Sequence, residues 1–130
     1  MDDIQNLIKK AREASGFSQC RYSGFPVGAA LESEHKVYSG CNIESSSYSL
    51  TICAERVALA KALSEGDTSF KRIVIYAAKA DFCPPCGACR QLLYDYAPEL
   101  QVILTDGKNH QTYNLSDLLP IAFEESKLKK

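Results

Sequence analysis

The sequence predicts an α/β fold of three layers, α-β-α, around a five-stranded mixed sheet whose last two strands are antiparallel. Three observations carry this. Apolar periodicity switches along the chain between helical and strand type, in the order α-β-β-α-β-α-β-β with a helical C-terminus. Two of the strand-to-strand connections hold a helix and are long enough for parallel crossovers. Only five residues separate Thr105 from Gln111, too few for a crossover of a dozen or more, so the final pair is a hairpin.

Each element has its own signal. Ile4, Leu7, Ile8, Ala11 and Ala14 share one face of a helix over residues 2–15, which Ser15-Gly16 ends. Residues 27–31 and 37–41 read as strands joined by the polar turn Ser33-Glu34-His35-Lys36. Thr51 offers a side-chain cap for a helix over about 52–64, which Gly66 closes. Ile73-Val74-Ile75-Tyr76-Ala77, within residues 72–78, is a strand buried on both faces. Pro84-Pro85 opens a helix over about 86–96 that Pro98 stops. Val102-Ile103-Leu104 is the next strand, and Asp106-Gly107-Lys108-Asn109 turns the chain into a short edge strand near 112–114. Residues 115–123 are weakly helical.

No repeat, linker or low-complexity tract divides the 130 residues, so one domain over 1–130 is expected. Fifteen Lys+Arg against sixteen Asp+Glu leave a net charge of −1, which argues against a protein that coats nucleic acid. No apolar run approaches the ~20 residues of a membrane span. The acidic, polar start Met1-Asp2-Asp3 is unlike a secretion signal, which points to a reducing cytoplasm.

Six cysteines, at 20, 41, 53, 83, 86 and 89, are the unusual feature. They are too sparse for a small disulfide scaffold. Two clusters, Cys53-Ala54-Glu55-Arg56 and Pro85-Cys86-Gly87-Ala88-Cys89-Arg90-Gln91, fall where helices begin. Backbone N–H groups and the positive dipole end favour thiolate there. Cys86 and Cys89, three apart, face one side of a helical turn, and Cys53 can complete a three-thiolate site. Three protein ligands leave a fourth tetrahedral position for water, the arrangement of catalytic zinc. Glu55 can reach that water without ligating the metal. Three thiolates on Zn²⁺ leave a charge of −1, and Arg56 is placed to hydrogen-bond a thiolate and draw that charge off. Cys20 and Cys41 read as buried small apolar residues.

Other readings of these cysteines fare worse. An iron–sulfur run beginning at Cys83 needs a further cysteine where Leu93 stands. A structural zinc needs a fourth protein ligand, from Cys41, Cys83, His35 or His110. A redox pair at Cys86 and Cys89 leaves Cys53-Ala54-Glu55 unexplained. A non-catalytic zinc-binding interaction domain is the alternative from another functional class.

Cys-Ala-Glu followed by Pro-Cys-x-x-Cys is a zinc-deaminase signature. Tyr22 to Leu31, Gly40-Cys41-Asn42-Ile43-Glu44 and Leu118 to Phe123 extend the match, and the chain resembles the cytidine deaminases of the small, three-cysteine class. The resemblance implies a cytidine deaminase-like fold and one Zn²⁺ per chain on Cys53, Cys86 and Cys89. It implies hydrolytic deamination of cytidine and deoxycytidine at C4 in pyrimidine salvage, with Glu55 moving the protons. It also implies that Asn42 and Glu44 hold the ribose, Phe25 packs on the base and the Ala54 carbonyl meets the amine side. Family members are commonly homotetramers, and on that pattern Ser46, Tyr48 and Phe123 reach an adjacent subunit's pocket. The chain departs from the family at Ser45-Ser46, where Asn-Ala is common, and at the extra thiol of Cys83. By family analogy, the tight last hairpin and the neutral charge favour a free nucleoside over a polymer. The related blasticidin S deaminases share fold and zinc site, and Asn42-Ile43-Glu44 favours cytidine over them.

Overall fold

The computed structural model describes residues 4–128. The first helix, α1 (Ile4–Ser15), buries Leu7, Ile8, Ala11 and Ala14, the face its periodicity marks; residues 2 and 3 of the expected helix lie outside the described residues. Strands β1 (Val27–Ser33) and β2 (Val37–Cys41) follow as a hairpin, then α2 (Ala54–Ser64), β3 (Phe70–Ala77) and α3 (Gly87–Tyr96). β4 (Gln101–Thr105) and β5 (His110–Asn114) form a second hairpin, followed by α4 (Leu115–Leu118) and a single 3₁₀ turn at Glu125–Lys127.

The sheet runs β2-β1-β3-β4-β5. β1 is antiparallel to both β2 and β3, β3 pairs parallel with β4, and β4 pairs antiparallel with β5. β2 and β3 therefore point the same way with β1 between them, so the first crossover skips a strand. The last hairpin is tight, as expected: the Asp106 carboxylate accepts the N–H groups of Lys108 (2.8 Å) and Asn109 (2.7 Å).

Alternation along the strands divides the core into two layers. On one face α1 sets Leu7, Ile8 and Ala11 against Ala30, Val74 and Ile103. On the other, α2 and α3 set Ala58, Leu59 and Leu93 against Ala29, Leu31, Ile73, Ile75 and Val102. Two strand glycines let the helices approach closely. A Cβ on Gly28 would sit 1.9 Å from the Ala11 carbonyl oxygen, and one on Gly40 would sit 2.7 Å from both the Ala54 oxygen and the Ala58 nitrogen.

The structure corrects several expectations. Thr51 does not cap α2; its hydroxyl accepts the Ser45 N–H (3.2 Å), and the N-cap is Cys53. The helix from Pro84-Pro85 starts at Gly87, with Cys86 as N-cap. Helix beyond residue 115 stops at Leu118, and the chain then passes through Ile121 in the left-handed region at φ 52°. Cys20 and Cys41 are half-buried rather than buried.

Candidate active site

Two of the three predicted ligands occupy the same local position. Cys53 and Cys86 are the N-caps of α2 and α3, with extended backbones at ψ 153° and 164°. Their carbonyls accept the first helical N–H bonds, from Val57 (3.1 Å) and Arg90 (2.9 Å). Neither sulfur caps its own helix, so both are free for another partner. Cys89 comes from the first turn of α3 and is fully buried. The three sulfurs lie within 4.8 Å of one another, and none is in a disulfide.

This donor set fits zinc. Sulfurs each ~2.3 Å from a tetrahedral zinc lie about 3.8 Å apart. The Cys53–Cys86 separation is 3.9 Å. Three clustered thiolates repel one another unless a cation neutralises them, and two helix N-termini offset only part of that charge. The three thiols share protons unequally. Hydrogen bonding from the Cys89 thiol, aided by Cys86 and the Arg56 charge, outweighs burial and holds Cys53 down at about 6. The same bond, together with burial, pushes Cys89 up.

Glu55 follows in the first turn of α2 and is only 4% exposed. Burial above all, with the Cys53 charge adding to it, raises its carboxyl to about 7, against hydrogen bonding and the Arg56 charge. A carboxyl poised near neutrality beside a metal-ligand cluster is suited to take and give a proton. Arg56 acts differently from expectation: its Nη2 donates to the Thr51 carbonyl (3.0 Å) rather than to a sulfur. Its charge still favours the Cys53 thiolate.

A cleft of about 400 Å³ opens over these groups. Phe25, Asn42, Glu44 and Ala54 line it together with Cys53, Glu55 and Cys86, so the structure gathers four predicted contacts around the cluster. Cys83 lines it too, with its thiol pushed up by burial, but stands outside the sulfur triad. Ser46, Tyr48 and Phe123 do not line it. All three are exposed, and Tyr48 borders a smaller outer hollow with Tyr22.

Asn42 and Glu44 are held more tightly than the sequence suggests. Asn42 Oδ1 accepts the Val27 N–H (3.0 Å) and the Ser18 hydroxyl (2.5 Å), while Nδ2 donates to the Phe25 carbonyl (2.9 Å). Glu44 Oε1 accepts the N–H groups of Tyr22 (3.1 Å) and Ser23 (3.0 Å), and Oε2 accepts the Ser23 hydroxyl. Those bonds, the Ser23 hydroxyl first, lower the Glu44 carboxyl. Sequence reasoning missed Ser18 and Ser23. No periodicity marks them, because their partners lie 24 and 21 residues away.

A mixed α/β sheet bearing three clustered cysteine sulfurs with a buried carboxyl beside them fits the class of zinc metalloenzymes of the hydrolytic type. The family model for the cytidine and deoxycytidylate deaminase zinc-binding region matches residues 1–105. A cytidine deaminase from Sporosarcina psychrophila is 42% identical over 129 residues, covering 97% of this chain and 95% of that one. The crystal structure of cytidine deaminase from Burkholderia pseudomallei superposes with a TM-score of 0.89 at 38% identity, covering 94% of this chain and 100% of the other. A blasticidin-S deaminase from Bacillus cereus is 34% identical over a shorter stretch, 75% of this chain and 76% of that one. The chain belongs to the cytidine and deoxycytidylate deaminase family, and its Cys53, Cys86 and Cys89 fit one zinc per chain.

Proposed function

We propose that this chain hydrolyses cytidine and deoxycytidine to uridine and deoxyuridine with release of ammonia. The observation that carries this reading is the buried Glu55 carboxyl, raised to about 7, next to the three sulfurs at the floor of a cleft. Zinc held by Cys53, Cys86 and Cys89 would supply Lewis acidity toward a water molecule. The Glu55 carboxylate accepts a proton from the attacking water and delivers it to N3 of the pyrimidine; it then takes the proton of the new C4 hydroxyl and passes it to the departing amine. Phe25 packs on the base, and the Ala54 carbonyl accepts from the amine side.

The ribose falls to Asn42 and Glu44. A carboxylate has about four acceptor sites, and three donors occupy those of Glu44. The remaining one suits a single sugar hydroxyl. Asn42 keeps one N–H to donate. Exposed Ser46, Tyr48 (77%) and Phe123 (56%) suit contacts with a neighbouring copy, in a homotetramer whose pockets are completed by other subunits. The tight β4–β5 turn and the net charge of −1 favour a free nucleoside. No described helix is long and apolar enough to cross a membrane, and we place this single domain in cytoplasmic pyrimidine salvage.

The test is loss of substrate absorbance on cytidine, deoxycytidine and blasticidin S, with zinc content measured on the same protein. Turnover of both nucleosides at about one zinc per chain is expected. Glu55→Gln should keep the zinc and lose about 10²–10⁴-fold in kcat. A fully active Glu55→Gln protein, or turnover of blasticidin S alone, would overturn the reading.

A further inference from the structure

Arg90 stands on α3 next to Cys89 and reaches in two directions. Its Nε donates to the Pro85 carbonyl (2.8 Å), and its Nη1 donates to the Leu118 carbonyl (2.8 Å). The first acceptor belongs to the loop that delivers Cys86; the second closes α4. The side chain is half-buried, and among the described residues no carboxylate pairs with it.

The loop has few other means of support. Pro84 and Pro85 carry no N–H, so two consecutive positions before Cys86 cannot donate a backbone bond. Their carbonyls are the available anchors, and side chains engage both: the Cys83 thiol meets the Pro84 carbonyl (3.7 Å) and Arg90 the Pro85 carbonyl. Arg56 repeats the device on the other ligand helix. It reaches five residues back to Thr51 across Cys53, as Arg90 reaches five residues back to Pro85 across Cys86. The two arginines differ in what else they do. Arg56 places charge on the Cys53 thiolate. Arg90 divides its planar fork between two carbonyls, a rigid, pre-organised donor geometry that an ammonium on a flexible stem does not present.

We infer that Arg90 is a positioning residue of the metal centre: it fixes the Cys86 loop by the Pro85 carbonyl and ties it to the C-terminal segment through Leu118. The inference rests on the zinc reading above and adds a residue outside the ligand set. It makes metal retention depend on a fork-shaped donor rather than on positive charge at position 90.

Chelator competition on the zinc-loaded protein, followed with a metal-sensitive dye well below the unfolding temperature, tests this. Arg90→Gln and Arg90→Lys should both release half their zinc at roughly tenfold lower chelator concentration than wild type, as metal-site supports commonly do. Their far-UV circular dichroism should be unchanged. Asp67→Asn is the stability control, since Asp67 lies beyond the far end of α2, about 16 Å along an 11-residue helix from Cys53. It should lower the melting temperature and leave zinc retention as in wild type. Wild-type retention in Arg90→Lys overturns the inference, because charge alone then suffices. A loss in the Arg90 variants no greater than in Asp67→Asn at equal melting temperature overturns it too. If Arg90→Gln does not accumulate, Arg90→Lys decides alone, as it keeps stem and charge. Wild-type protein without zinc would instead sink the earlier reading, and this one with it.

Discussion

Asp67 is 6% exposed, yet four donors converge on it: the hydroxyls of Ser33 (2.5 Å), Tyr38 (2.9 Å) and Ser69 (3.0 Å), and the Ser69 N–H (3.2 Å). Ser33 foremost among them holds its carboxyl down at about 2, and burial with the Asp67 bond pushes Tyr38 up to about 12. A carboxyl more acidic folded than unfolded adds stability above its unfolded value, near ~3.9, and that stability is lost as pH falls through the folded value. Asp67→Asn should therefore melt below wild type at neutral pH, and the gap should narrow between about pH 4 and pH 2. A gap constant with pH would show that ionisation of Asp67 is irrelevant. At the metal, Arg56→Gln removes both a carbonyl anchor and a charge near Cys53, so zinc retention should fall, as read by the same chelator competition. Cys53, Glu55, Cys86 and Cys89 were legible in the sequence because their chemistry is written in short spacings at helix starts. The role of Arg56 was legible only as charge; its carbonyl partner depends on loop path. Ser18, Ser23 and Arg90 were not legible, since their partners are set by tertiary approach rather than by local pattern.

Among elements, the helix-to-sheet contacts carry the sharpest expectation. Gly40 faces the Ala54 oxygen and Ala58 nitrogen, the first hydrogen-bonded pair within α2. A methyl group there must push the helix start, with Cys53 and Glu55, away from β2. Gly28 meets the last such pair of α1, Ala11 oxygen and Ser15 nitrogen. Either glycine replaced by alanine should cost about 1–3 kcal/mol or more by overpacking, seen as a lower denaturant midpoint. Gly40→Ala should also reduce turnover in protein that remains folded, whereas Gly28→Ala, on the opposite face, should not. Equal activity in the two would separate Gly40 from the site. Helix and strand periods made the elements readable, and Gly66 at φ 84° closes α2 as its position suggests. Helix starts were misjudged by one or two residues, because Thr51 serves the Ser45 N–H and leaves the cap to Cys53.

For the molecule as a whole, the two crossovers bring both ligand-bearing helix starts to one end of the sheet. The short gap before Gln111 made the closing hairpin legible. Strand order was not, since nothing local says that β1 lies between β2 and β3. A metal binding only the folded arrangement should stabilise it, so chelation should lower the melting temperature and added zinc should restore it. An unchanged melting temperature would mean that the sulfurs hold no ion. Cys86 and Cys89 share a turn, whereas Cys53 lies 33 residues before Cys86. During synthesis Cys53 leaves the ribosome as the first of the three ligand thiols, and β3 must follow before its companions emerge. The ion is thus a late arrival in biogenesis, gripped only after residue 89 is clear of the exit tunnel. Chains stalled with Cys53 outside and Cys86 still within should carry no tightly held zinc, and chains released past α3 should.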